Sequence, residues 1–579
     1  YVDRGADIKI SDNDGNTPLQ IAAQQDQWDI VRFLERKGAD IKVSDNYGIT
    51  PLHWAAKKNR VDIVKYLIEK DADIEISDIY SKTPLHWASE DGGLEVVKCL
   101  VEEGCNIKIS DNDGKNPLHY VALKGYLDIV KYLVEQGADI NIFDNDGKTP
   151  LHLAAEEGGL DTVKWLVEEG CDIKISDNDG KSPLHLAALK GYLGIVKYLV
   201  EQSAEIKTFD EYGKTPFIGA VEEGKLNVVK YLVEHGADIK TSNEYGETPL
   251  QKAALKGHLD VVKYLVEQGA DIDISDGYGK TPLHWAAYNG RLDVVKYLVI
   301  KGADIEISDE EGRHPLHWAA QRNQWDIVKY LVNQKADIKI SDGYGKTPLH
   351  WAAQYGRLDI VKYLVKLGSD IKISDQDGKN PIHWAAQQNQ WDIVKYLVNQ
   401  KADIKISDGY GKTLLHWAAK YGKLGVVEYL IEQGADIKSP DEYGETPLDR
   451  AAKEGNLDVV KYLVEQGADI KTSDEYGKTP LSRAAEEGRL DVVKYLVEKG
   501  ADIKTSDKYG ENPLHLSAFK GYLDIVKYLV QQGTDIKISD DHGKTPLHTA
   551  AQYGRLDVVK YLVEQGADIK ISDIYGKNP

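Results

Sequence analysis

Methionine is missing from the 579-residue chain, and cysteine is limited to Cys99, Cys105 and Cys171. Such sparse thiols read as free ones in a reducing, cytoplasmic setting. No apolar run approaches the ~20 residues of a membrane-spanning helix, and no signal peptide is visible. That speaks against direct membrane insertion. Positive charge is in deficit: 72 Lys and Arg stand against 94 Asp and Glu, a net charge of −22 spread along the length. An acidic chain repels phosphate backbones and anionic lipid heads, so nucleic acid is not an expected partner. Linkers are lacking too, since no Ser/Gly/Pro-rich stretch occurs and only Pro440 lies outside a repeating T-P step. Motifs of chemistry are equally scarce. No G-x-x-x-x-G-K-[ST] loop, H-E-x-x-H helix or G-x-S-x-G elbow is present, and we expect no enzyme, no cofactor and no metal.

What the chain does have is a period. An acid recurs every 33 residues from Asp12 and Asp45 to Asp573, with Asn243 the one substitute, and no residue is inserted or deleted. Seventeen full repeats span 12–572, with partial repeats at 1–11 and 573–579. Such a period specifies a solenoid, in which each repeat buries its apolar face only against its neighbours. We therefore expect a single domain over 1–579, monomeric as a segment. Layers about 9–10 Å apart would separate Cys105 from Cys171, two repeats away, beyond disulfide reach. They would give roughly 150–170 Å of contour. The ends fall inside the repeated motif, and with no methionine this suggests a segment of a longer protein.

Within a repeat the helix rules are legible. Thr281 is a good N-cap, and Pro282 suits the first helical position, where its missing N–H costs nothing. Leu283, Ala286 and Ala287 follow at helical spacing, and Gly290 ends the helix. Leu292, Val294, Val295, Leu298 and Val299 mark a longer amphipathic helix, with Asp293 in its first turn, stopped by Gly302. Residues 303–308 read as an extended arm entering a turn.

The D-x-x-G-x-T-P-L-H-x-A-A run, as in Asp342 to Ala353, and the V-V-x-x-L-V-x-x-G-A-D-I run, as in Val261 to Ile272, resemble the ankyrin repeat across essentially the whole chain. The resemblance implies an all-α solenoid of helix-turn-helix units with protruding hairpin loops, whose concave face binds partner proteins. It also implies a structural hydrogen-bond role for the His of the P-L-H step and the preceding Thr. Twelve of the sixteen His occupy that step. Repeated once per layer, they are too far apart to share a metal ion. Departures are local: Asp71, Ser203, Lys335 and Lys401 replace Gly after the second helix, Asn59, Asn323 and Asn389 replace it after the first, and Ser81 replaces the turn Gly. Weaker local stability is expected there.

Aromatic residues are the sharpest candidates for function. Trp285, Trp318, Trp351, Trp384 and Trp417 follow His in five successive repeats, and Trp54 and Trp87 do so earlier. With the turn-tip residues Tyr278, Tyr344 and Tyr410, and with Tyr355 and Tyr421 past the first helix, they would form a protein-binding stripe. The competing reading is that each Trp packs over the Ala-rich step between first helices. Where His is lost, the next residue often turns basic, as in Gln251-Lys252, Asp449-Arg450 and Ser482-Arg483, so 441–506 could present a different surface. The first expectation is a non-enzymatic scaffold for partner proteins of unknown identity. An elastic tether in a larger membrane-linked or cytoskeletal protein, or the recognition arm of a microbial effector, are the alternatives. Residues 309–374 and 375–440 match closely, and that uniformity suits a tether.

Overall fold

The computed structural model describes residues 8–579. Among them lie thirty-four α-helices and no strand, an all-α array of helix pairs as the period requires. No helix among the described residues is long and apolar enough to cross a membrane. Contacts group the chain into two units. The first holds the described residues up to Ala286 together with Ile300–Gly302, and the second holds Ala287–Val299 together with Ala303–Pro579.

In the first unit, repeat 144–176 shows how the sequence makes the pair. Thr149 caps the helix Pro150–Glu157: its Oγ1 accepts the His152 amide at 3.4 Å, while its own N–H donates to His152 Nδ1 at 3.1 Å. The exchange is a capping box in which His replaces the usual Glu or Gln. Gly158, at φ +88°, closes the helix in the left-handed region. The helix Leu160–Glu168 follows, with Asp161 in its first turn. Leu151, Ala154, Ala155, Val163 and Leu166 are fully buried. First helices of successive repeats, Pro117–Lys124, Pro150–Glu157 and Pro183–Lys190, pack side by side, with Ala permitting close approach. Turn tips are tied by backbone bonds, such as Asn145 N–H to Asp113 O and Asn178 N–H to Asp146 O, both 2.9 Å.

The second unit repeats the scheme. The helices Pro348–Gln354 and Pro381–Gln387 lie together, and Leu349, Ala352, Ala353, Val361 and Leu364 are sealed from solvent. The departures from glycine keep glycine's backbone: Asn59, Asp71, Ser81, Ser203, Asn323, Lys335, Asn389 and Lys401 have φ between 53° and 71°. Helix boundaries stay in register at each of these sites. Cys99, Cys105 and Cys171 are buried free thiols, and burial pushes Cys105 and Cys171 up to about 12. Cys105 and Cys171 point at carbonyls of the preceding repeat, Ile74 and Ile140, at 3.5 and 3.6 Å.

Candidate functional site

The P-L-H histidine joins one repeat to the next. In His53, His86, His152, His317, His350, His416, His515 and His548, Nε2 lies 3.0–3.2 Å from the backbone carbonyl 29 residues onward. Nδ1 accepts the N–H of the capping residue, so the neutral ring with its proton on Nε2 satisfies both bonds. Burial makes the charged form unfavourable and lowers His53, His350 and His416 to about 4 and His317 to about 3. These rings are structural staples. Among the described residues no group of His, Cys, Asp and Glu converges in a way that could hold a metal ion.

The opening Asp of each repeat organises the turn and, through it, the residue after His. Asp342 Oδ1 accepts the amides of Tyr344 at 2.9 Å and Lys346 at 2.8 Å. Its Oδ2 accepts the indole N–H of Trp351 at 2.8 Å. Trp87, Trp285, Trp318 and Trp384 bind the Oδ2 of Asp78, Asp276, Asp309 and Asp375 in the same way, at 2.6–3.0 Å. Trp318, Trp351, Trp384 and Trp417 are only 7–8 % exposed, whereas Trp54, Trp87 and Trp285 are half-buried.

In the second unit, cations cover the indole faces. Arg313 lies 4.1 Å over Trp318. Lys346 sits between two successive indoles, 4.8 Å from Trp351 and 3.5 Å from Trp384. Lys379 bridges Trp384 and Tyr410 at 4.5 and 5.4 Å, and Lys412 bridges Tyr410 and Trp417 at 5.4 and 5.6 Å. Each such contact contributes about 0.5–2 kcal/mol, the larger value where water is excluded. The Trp351–Tyr355 and Trp417–Tyr421 rings stack with 20° between planes. Tyr344, Tyr355, Tyr410 and Tyr421 are 36–53 % exposed, so of its aromatic residues this face shows solvent the tyrosines and not the tryptophans. In the first unit, Tyr278 is likewise exposed, and Lys280 lies over both Tyr278 and Trp285.

Sequence reasoning missed the lysines of the turn. Their signal was available, because the fifth residue of repeats 276–440 is Lys or Arg without exception: Lys280, Arg313, Lys346, Lys379 and Lys412. It also did not anticipate what replaces the staple. Gln251 imitates His with both ends of its amide: Oε1 accepts the Thr248 amide at 2.7 Å, and Nε2 donates to the carbonyls of Ile274 and Lys280 at 3.1 and 2.7 Å. Asp449 accepts from Thr446 on one oxygen, but its buried Oδ1 has no hydrogen-bond partner among the described residues. Among the described residues, Ser482 bonds Thr479 alone.

The basic residues beside Asp449 and Ser482 turn inward. Arg450 bonds Asp441 Oδ2 at 2.9 Å and Glu445 at 2.5 Å, and Arg483 bonds Glu445 at 2.9 Å as well as Asp474. Guanidinium has thus taken the place of indole on the turn carboxylate. The distinct chemistry of 441–506 is largely spent inside the fold, with both arginine side chains only 12–16 % exposed.

A family model described as ankyrin repeats (3 copies) matches in eight stretches: 1–78, 85–177, 151–243, 220–309, 301–375, 367–441, 433–507 and 503–573. No curated protein matches the chain. Ankyrin repeats are in general protein–protein interaction modules. With matches over nearly its whole length, helix pairs in register and a histidine staple between repeats, this chain belongs to the ankyrin-repeat family.

Proposed function

We propose that the chain is a non-catalytic scaffold that captures partner proteins on the face made by its turn tips and first helices. The observation that carries this reading is the row of exposed tyrosines, Tyr344, Tyr355, Tyr410 and Tyr421, set on the lysine-covered tryptophans Trp351, Trp384 and Trp417. Trp285 with Tyr278 carries the same pattern in its own repeat, whereas the repeat of Trp318 has the covered indole but Glu311 at the turn tip. Tyrosine gives large contact area at small conformational cost, and the stacked indoles hold Tyr355 and Tyr421 in place before a partner arrives.

Charge defines the partner. From Asp342 to Lys423, the turns and first helices hold Lys346, Arg357, Lys412, Lys420 and Lys423 at partly exposed positions, whereas Asp377 is their one exposed carboxylate. Lys379 is buried against its aromatic neighbours, and Asp342, Asp375 and Asp408 are buried within the turns. In a chain of net charge −22 this local surplus of cations favours an acidic segment, with tyrosine supplying the apolar contact.

The test is capture by the full chain. Proteins retained by the wild type are identified by mass spectrometry and compared with those retained by two variants. One carries Tyr344→Ala, Tyr355→Ala, Tyr410→Ala and Tyr421→Ala; the other carries Lys362→Ala and Lys395→Ala on exposed positions of second helices. We expect the tyrosine variant to lose the retained partner by about tenfold or more, since hot-spot truncations cost about 2 kcal/mol each. The second-helix variant should retain it. Equal retention by all three proteins rules out this face.

A further inference from the structure

The first unit contains one repeat in which the place of the indole is empty. In repeat 210–242 the residue after the P-L-H position is Gly219, and the His position itself is Ile218. An open notch of ≈ 400 Å³ lies there, lined among others by Leu189, Asp210, Tyr212, Lys214, Gly219 and Glu222. Asp210 Oδ1 is used as in other repeats, accepting the amides of Tyr212 at 3.0 Å and Lys214 at 2.7 Å. Its Oδ2, the atom that elsewhere receives an indole N–H, accepts no hydrogen bond from the described residues.

The chain itself shows what fits. Repeat 78–110, in the same unit, keeps the turn carboxylate and the ion pair with the ring present: Trp87 donates to Asp78 Oδ2 at 3.0 Å beside the Lys82–Glu90 pair at 2.8 Å, with Lys57 in the place of Leu189. Repeat 210–242 has the matching Lys214–Glu222 pair at 2.6 Å. The backbone at Gly219 does not obstruct a ring, because the nearest atom to a Cβ placed there is Leu189 Cδ1, at an ordinary contact distance of 3.6 Å. Tyr212 stands at the rim and is 64 % exposed.

We propose that this notch receives a tryptophan side chain from a partner protein, the indole lying between Leu189 and Lys214 and donating its N–H to Asp210 Oδ2. The inference rests on the reading above that the chain docks partner proteins, and it adds an anchor residue for a partner held by the first unit. An acceptor already fixed by two backbone amides and a preformed space keep the ordering cost small. The apolar body and single donor of indole match a wall of one apolar and one acidic group.

The probe is N-acetyl-5-fluorotryptophan amide, observed by fluorine NMR with the full chain at millimolar probe concentration. The wild type should broaden and shift the fluorine line. Gly219→Trp, which fills the place with the chain's own ring, should abolish the effect. Asp210→Asn should weaken binding about tenfold by removing the charged acceptor. Its turn is expected to survive, because Asn243 Oδ1 already holds the Tyr245 and Glu247 amides at 3.0 and 2.9 Å in this chain. Circular dichroism checks that both variants keep their helices. An unchanged fluorine spectrum with wild type overturns the proposal, as does binding that persists undiminished in Gly219→Trp. If the notch fails while the tyrosine variant still loses its partner, the docking face stands and only the anchor is wrong. If indole binding holds while the tyrosine variant keeps its partner, the notch stands and the docking face is wrong.

Discussion

A histidine in this chain is a two-ended connector, and its value lies in having both ends used. His350 is buried, with its capping bond to Thr347 and its reach to the Lys379 carbonyl. His350→Ala should cost about 2–4 kcal/mol, because it orphans a buried amide and a buried carbonyl and leaves a void. His350→Gln should cost less than about 1 kcal/mol, since Gln251 makes both bonds in its own repeat. Urea unfolding of the two variants checks the difference. Lys335 and Lys401 make the complementary point about backbone. At φ 71° and 65° they occupy a conformation that L-residues disfavour. The equivalent glycines Gly302 and Gly368 have nothing within 4 Å of a Cβ position, so the strain is in the backbone alone. Lys401→Gly should therefore stabilise by about 1 kcal/mol, read as an increase in melting temperature. Those departures from glycine were visible in the sequence, and so were their local reach and the tolerance of Asn for the left-handed backbone; that Asp71, Ser81, Ser203, Lys335 and Lys401 would hold glycine's geometry too was not.

At the scale of helix and joint, buried histidines and Asp449 respond to pH in opposite directions. His53, His350 and His416 titrate at about 4 in the fold against 6.5 in an unfolded chain. As pH falls below 6.5 the unfolded state takes up protons that the folded state refuses. Their contribution is complete above pH 6.5 and is lost between 6.5 and 4. Asp449 is raised to about 7 from 3.8, first by burial and despite its bonds from Thr446. Its cost is absent below pH 3.8 and grows as pH rises to 7, because the unfolded carboxyl ionises first. Asp449→Gln should thus stabilise by roughly 2–4 kcal/mol at pH 8 and much less at pH 4, measured by urea unfolding at the two values. The sequence marks residue 449 as a departure from His. Burial between two repeats and an unpartnered oxygen are properties of the packed joint, which no local pattern encodes.

For the molecule as a whole, stability should be uneven although the sequence is nearly periodic. Ankyrin-type arrays add repeat and neighbour terms, so a weak joint has local consequences. In the second unit the joints after Asp449 and Ser482 lack the histidine bond and rely on the Arg450–Glu445–Arg483 network. In the first unit the joint after Ile218 has neither. Hydrogen exchange at pH 7 should therefore show faster amide exchange in 210–242 and 441–506 than in 309–440. Corrected for intrinsic rates, lowering the pH to 5 should narrow the gap between 441–506 and 309–440, as histidine staples weaken and the Asp449 penalty shrinks. Uniform protection across all repeats would contradict both statements.

The 33-residue period, the helix pair, its caps and the histidine's recurrence were settled by the sequence alone, because each depends on spacing and on residues a few positions apart. The assignment of tryptophan needed three dimensions. Its indole N–H meets an Asp nine residues earlier, and its face meets a lysine from the preceding repeat, as Lys346 does with Trp384. Whether Gly219 is a harmless gap or an open place beside an unused carboxylate oxygen was likewise decided by packing. Composition records a missing side chain, but only neighbouring repeats determine the space it leaves.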